Sequence, residues 1–302
     1  MSIQAPKQVV MVRPHHFRVN DATLEDNAFQ RSVHHTDVSK QAYIEVSQVV
    51  EKLRAHGITV HLFEDKSIDT PDSVFPNNWF STHHNGTLIT YPMRAENRRK
   101  EYRQDVLETL WQQYGLEHAK DLRHFKDQQR FLEGTGSIVF DHVNKLAYMA
   151  RSQRTDDDLL KDVCDFLGYE AVIFDAYDVQ GTPVYHTNVM MCVGTHFVLI
   201  GLDMLEAPQR ALLCQRFERN QQTVIALTHE QIQHFCGNAI ELQGKEGALL
   251  ALSQTAYDAL TTEQRATISQ HATLLPLSVN TIEAAGGSVR CMIAGVHGKT
   301  GI

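Results

Sequence analysis

The chain has 302 residues, 42% hydrophobic and 21% charged, which is enough apolar material for a full core and excludes an intrinsically disordered chain. A formal net charge of −8, with no basic run interleaved with aromatics, argues against nucleic acid as a partner. The N-terminus has no apolar signal core and no segment approaches the roughly 18 apolar residues of a membrane span, so a cytoplasmic protein without a membrane partner is expected.

Taken in chain order, residues 8–14 (QVVMVRP) read as a strand, and the polar residues 15–30 after it are expected at the rim of a site. From residue 78 a unit recurs: NWFSTHHNGTLITYP (78–92), EGTGSIVFDHVNKLAYMARS (133–152), HTNVMMCVGTHFVLIGL (186–202), NAIELQGKEGALLALS (238–253) and CMIAGVH (291–297). Each copy starts with a polar residue and enters a β-rich apolar stretch. Most then turn at Gly, Asn or a charged pair into a second apolar stretch, which is a hairpin pattern. Between the hairpins, residues 96–115, 155–169 and 253–271 carry helical spacing, with acids at the start of the second and Gly after the first two. Short strands at 170–177 and 273–279 follow the helices.

The polar residues that open the units are Asn78, Glu133, His186, Asn238 and Cys291, at intervals of 55, 53, 52 and 53 residues. So steady a period implies five hairpin–helix–strand units in a ring, one domain spanning residues 1–302. The last unit lacks a return strand, and residues 8–14 are expected to supply it. Equivalent positions of a closed ring face one axis, so Glu133, His186 and Cys291 are expected to meet in a central channel.

A cysteine by itself is more often a small buried apolar residue than a nucleophile. Brought together, however, Cys, His and a carboxylate make a thiol with an acid/base partner. The other cysteines, Cys164, Cys192, Cys214 and Cys236, lie in apolar or packing contexts and are expected as reduced structural thiols. The His-His pairs at 15–16, 34–35 and 83–84 lack helical spacing with a carboxylate, so no metal site is expected. EGTGS lacks the lysine and glycine spacing of a phosphate loop.

PDSVFPNNW (71–79), LEGTGS (132–137), YHTN (185–188) and GGSVRCM (286–292) resemble, in order, the motifs of the guanidino-group-modifying, or pentein, superfamily. That group contains arginine deiminases, dimethylarginine dimethylaminohydrolases and amidinotransferases, and the resemblance is nearest to the dimethylaminohydrolases and to amidinotransferase-like proteins of citrulline use. It implies a five-bladed, pseudo-symmetric α/β propeller of ββαβ-type repeats, without cofactor. It also implies Cys291 as nucleophile, His186 as general acid/base and Glu133 as the carboxylate on the substrate's terminal nitrogens. Asp72 would hold the α-amino group, and Arg98 and Arg154 would clamp the α-carboxylate of a free amino acid.

Two departures from the family pattern bear on substrate. Asn78 stands where relatives acting on arginine have an acid, and Asn188 where arginine deiminases have an aspartate. A guanidinium calls for two carboxylates, whereas a neutral ureido group suits a carboxamide that both donates and accepts. The expectation is therefore a hydrolase of citrulline, giving ornithine, ammonia and carbon dioxide. Arginine deimination, methylarginine hydrolysis, amidino transfer and a non-catalytic binder on the same fold are the alternatives. A homo-oligomer is left open.

Overall fold

The computed structural model describes residues 3–24, 27–31 and 37–298. Its strands are β1 (Gln8–Pro14), β2 (Thr59–Asp65), β3 (Phe80–His83), β4 (Thr87–Thr90), β5 (His118–Asp121), β6 (Val139–Asp141), β7 (Leu146–Ala150), β8 (Glu170–Phe174), β9 (Met191–Val193), β10 (Phe197–Ile200), β11 (Thr223–Ala226), β12 (Ile240–Gly244), β13 (Gly247–Ser253), β14 (Thr273–Leu277) and β15 (Ala294–Val296). They form five sheets of three strands each.

Four sheets share one construction. An antiparallel hairpin is followed by a helical crossover and a third strand parallel to the second: β3-β4-β5, β6-β7-β8, β9-β10-β11 and β12-β13-β14. A parallel return needs such a crossover because the chain must travel back along the sheet. The fifth sheet is built from both ends of the sequence. β15 pairs antiparallel with β1, with Val10 opposite Ala294 and Gln8 opposite Val296, and β2 pairs parallel with β1 after the helix Val38–Ala55. Residues 8–14 thus complete the last unit, as its missing return strand required.

The crossovers are fixed by local chemistry. Asp156 caps the helix Asp157–Leu167 by accepting from the Leu159 N–H, and Gly168 ends it at φ 73°. Thr261 with Gln264 forms a capping box on the crossover helix Thr262–Ser269, and Thr228 with Gln231 forms another on the helix His229–Gln233 that links two blades. Inner strands are buried on both faces; every residue of β7, β9 and β10 is buried, which explains their unbroken apolar runs.

The sheets close into a five-bladed α/β propeller. A single axial cavity touches the first strand of all five sheets, meeting His83 of β3, Phe140 of β6, Cys192 of β9, Glu241 of β12 and Gly295 of β15.

Two local features differ from the sequence reading. Asn78, Glu133, His186 and Cys291 do not begin strands but lie in or cap single helical turns: Pro76–Asn78, Gly134–Ser137, Thr187–Met190 and Val289–Met292. A strand would alternate its side chains between the faces of its own sheet, whereas a turn at the inner end of the blade directs them at the axis. Residues 96–115 are likewise not one helix. A 3₁₀ turn at Arg98–Glu101 is followed by extended backbone and then the helix Gln104–Gln113. Burial of both Arg98 and Glu101 at the site overrides the helical spacing.

Candidate active site

All five opening residues meet at one end of the axis. Asn78, His186 and Cys291 line a narrow pocket with Asp72, Arg98, Arg154 and Tyr185, and Glu133 stands directly behind His186. Asn188, beside Cys291 but not on the pocket wall, and all other site residues expected from sequence are buried; the structure brings every one of them to this place.

His186 Nε2 is 2.8 Å from Glu133 Oε2, and Arg154 Nη1 lies 3.5 Å from the same oxygen. The other carboxylate oxygen accepts from the Arg94 backbone N–H at 2.9 Å. Burial pushes the Glu133 carboxyl up, but Arg154, the His186 hydrogen bond and Arg98 together outweigh it and hold the group well below the usual range. Burial depresses His186 to about 4, despite the attraction of Glu133. At neutral pH this is a carboxylate beside a neutral imidazole whose Nε2–H donates, leaving Nδ1 as the proton acceptor.

The sign of the pH dependence follows. A histidine ordinarily titrates near 6.5, and folding moves His186 down to about 4, so its contribution is complete above about pH 6.5 and is lost as pH falls toward 4. Unfolding by urea should show the stability difference between wild type and His186→Gln shrinking across that window. A difference independent of pH would remove the shift.

Asn78 is held rigidly. Its Oδ1 accepts from Arg98 Nη1 at 3.0 Å and its Nδ2 donates to the Glu133 carbonyl at 3.4 Å, which fixes the orientation of the amide. Arg98 is itself clamped: Nε and Nη2 each donate to Glu101 at 2.9 Å, and Nη2 also donates to the Phe75 carbonyl. Arg98 Nε lies 3.7 Å from Asp72 Oδ2. Asn20 donates to that same Asp72 oxygen at 2.7 Å, while Asp72 Oδ1 is buried without a hydrogen-bond partner among the described residues.

The sulfur of Cys291 has carboxamides for neighbours. Asn238 Nδ2 is 3.3 Å away and Asn188 Nδ2 3.5 Å. Asn238 is oriented by the Arg290 N–H on its Oδ1 at 3.1 Å and by its own donation to the Asn188 carbonyl at 3.0 Å. Sequence reasoning took Asn238 as the fourth opening residue and gave it no part in the site, although the period pointed it at the same axis. Glu101, Asn20 and Tyr185 also escaped, since none sits in the repeat. Arg154 packs its guanidinium 4.9 Å above the Tyr185 ring.

Glycines make room where these side chains crowd. A Cβ on Gly136 would lie 2.1 Å from Asn78 Nδ2 and 2.8 Å from His186. Gly286 adopts φ 81° and Gly287 passes against the Phe75 ring, so the glycine pair before Cys291 forms a pocket wall. Thr23 and Asn27, from the polar segment 15–30, line the same pocket. No group of three His, Cys, Asp or Glu among the described residues is placed to hold a metal ion, and no helix among them is long and apolar enough to cross a membrane.

The sequence profile of the family described as N,N dimethylarginine dimethylhydrolase, eukaryotic, matches residues 13–298. The chain belongs to that family. Its members are hydrolases acting on carbon–nitrogen bonds of guanidino groups, and the chain is a hydrolase of non-peptide carbon–nitrogen bonds. No curated protein matches it significantly.

Among the solved structures that share the pentein fold are three that hold a ligand. One is the N-terminal domain of ArgZ, an arginine dihydrolase of the ornithine–ammonia cycle in cyanobacteria, bound to substrate, with TM-score 0.76, 14% identity and coverage of 97% of this chain and 98% of that one. AgrE with ornithine and NAD+ gives TM-score 0.76 and 15% identity over 97% of this chain, which spans 40% of AgrE. A dimethylarginine dimethylaminohydrolase adduct with S-methyl-L-thiocitrulline gives 0.65 and 16% over 96% of this chain and 99% of the other.

Proposed function

We propose that this family member is a cysteine hydrolase of free citrulline, releasing ornithine, ammonia and carbon dioxide. The observation that carries the reading is Asn78. Among the described residues lining the pocket the one carboxylate is Asp72, and Glu133, reached behind His186, already shares its Oε2 with Arg154. Asn78, Asn188 and Asn238 supply neutral amides in place of further charge. A ureido group is neutral and offers one acceptor and N–H donors, which carboxamides match without an unpaired buried charge.

The roles follow from the geometry. Asp72 Oδ1 is a buried acceptor awaiting a donor, suited to the substrate's α-ammonium. Arg154 takes the α-carboxylate. Arg98 has most of its donors engaged within the protein, so it acts chiefly by fixing Asn78 and neutralising Glu101 and Asp72. Asn188 and Asn238 donate to the developing thiolate of Cys291.

In the reaction, Cys291 passes its proton to neutral His186 and its sulfur attacks the ureido carbon. The bond from that carbon to the δ-nitrogen breaks, and His186 returns the proton to ornithine as it departs. His186 then takes a proton from water, whose oxygen displaces the sulfur from the S-carbamoyl intermediate. The carbamate so formed yields ammonia and carbon dioxide. The pocket, ≈ 20 Å³ as it stands, must widen around Thr23, Asn27 and Phe75 to admit an amino acid.

Arginine or a methylated arginine is the second reading, favoured by Glu133 and by the family's own description. A non-catalytic binder has no need of the Cys–His–Glu set. Separate assays of ornithine, citrulline and ammonia release discriminate these. Citrulline should be consumed and arginine inert, and Asn78→Asp should lower citrulline turnover by about tenfold or more by adding a charge the neutral group cannot pair. If citrulline is inert while arginine is consumed, the argument from Asn78 fails.

A further inference from the structure

The axial cavity shares no lining residue with the substrate pocket and takes no part in the chemistry above. Its wall carries Arg290, His142, His297, His83, Gln4 and Glu241. We infer that this cavity binds a small tetrahedral oxyanion of the phosphate or sulfate kind, held by Arg290, His142 and His297.

Arg290 is a half-buried guanidinium that forms no ion pair with a carboxylate of the described residues, and its side chain donates only to the Ile293 carbonyl, at 3.0 Å. Glu241 is the one acid on the wall, and its Oε2 is turned to the Thr195 N–H at 2.8 Å and hydroxyl at 2.6 Å. A guanidinium so placed lacks a counter-charge.

The two imidazoles present donors as well. The Tyr169 hydroxyl lies 2.8 Å from His142 Nδ1, and in the tautomer where it donates there the hydrogen of the neutral ring sits on Nε2. His84 Nε2 faces the Ile3 carbonyl at 2.6 Å and therefore carries its proton, and His297 Nδ1, 3.0 Å from that nitrogen, is the unprotonated nitrogen of its ring. The His297 hydrogen is then also on Nε2. Neither Nε2 has a partner among the described residues, and the two rings stand 4.2 Å apart between centroids. The cavity therefore offers guanidinium and imidazole N–H groups from three residues, the pattern an oxyanion satisfies. Its volume, ≈ 50 Å³, holds about four or five heavy atoms and excludes a nucleotide or organic cofactor.

Burial, neighbouring histidines and the charge of Arg290 keep His142 and His297 well below the ordinary range. The other titratable groups facing them are His83, His84, Tyr169, Cys192 and Glu241. A bound dianion reverses the balance and draws a proton onto one of the two rings. Binding should strengthen as pH falls.

The test is thermal unfolding of the full chain titrated with sodium sulfate and, separately, phosphate, each against chloride of equal ionic strength. Wild type should show saturable stabilisation beyond chloride. Arg290→Gln and His142→Gln should lose it, and Arg154→Met, altered only in the substrate pocket, should keep it. Sulfate stays a dianion throughout, and its affinity should rise roughly tenfold from pH 7.5 to 5.5. Stabilisation no greater than that of chloride, equal stabilisation in wild type and both cavity variants, loss in Arg154→Met instead, or affinity independent of pH would each overturn the inference.

Discussion

Cys291→Ser should fold as wild type does and turn over at least about 10⁴-fold more slowly. The side chain is buried, and its sulfur rests against two carboxamides rather than a cation. Serine fits the same space, so thermal unfolding should move little. Its hydroxyl is far less acidic than a thiol, however, and a neutral His186 is a weak base, already depressed to about 4. Two amide N–H donors can stabilise a thiolate but cannot make an alkoxide at neutral pH. Ornithine release at saturating citrulline, with circular dichroism on the same samples, checks both halves. A serine variant that works at the wild-type rate would sink the nucleophile assignment.

Gly136→Ala should cost about 10² to 10³-fold in kcat/KM through a single methyl group. The glycine lies in the turn Gly134–Ser137 and has no left-handed backbone of its own to strain. What fails is space: the added Cβ would fall 2.1 Å from Asn78 Nδ2 and 2.8 Å from the Cε1 and Nδ1 atoms of His186. One must yield, and each has a single well-bonded position, Asn78 between Arg98 and Glu133, His186 on Glu133. Overpacking of this kind also destabilises by about 1–3 kcal/mol. Michaelis kinetics beside urea unfolding would separate the two effects. Wild-type kinetics would show that neither side chain needs its place.

The ring was legible because one interval recurs. A spacing near 53 residues says where Glu133, His186 and Cys291 go without any knowledge of their side-chain packing. The same arithmetic covers Asn238, whose role was missed because an asparagine has no chemistry of its own to advertise; only the 3.3 Å contact with sulfur does so. Arg98 shows the opposite case. Residue type and motif gave its presence at the site, but that most of its donors are spent on Glu101, Asn78 and Phe75 depends on a buried 3₁₀ turn that helical spacing conceals. Likewise, the pairs at 83–84 and elsewhere show no ligand spacing along the chain, and His84, His142 and His297 become neighbours only when three blades converge.

The pairing of β1 with β15 has a kinetic consequence. Gln8 meets Val296 across almost the whole sequence, so this strand pairing carries the largest loop-closure entropy of the five sheets. Cys291 sits in the turn that leads directly into β15. Four blades can be complete while the thiol still has no fixed position relative to His186 and Asn238. Catalytic competence is thus gained in one event, the joining of the two ends, and a partly folded chain carries no reactive centre.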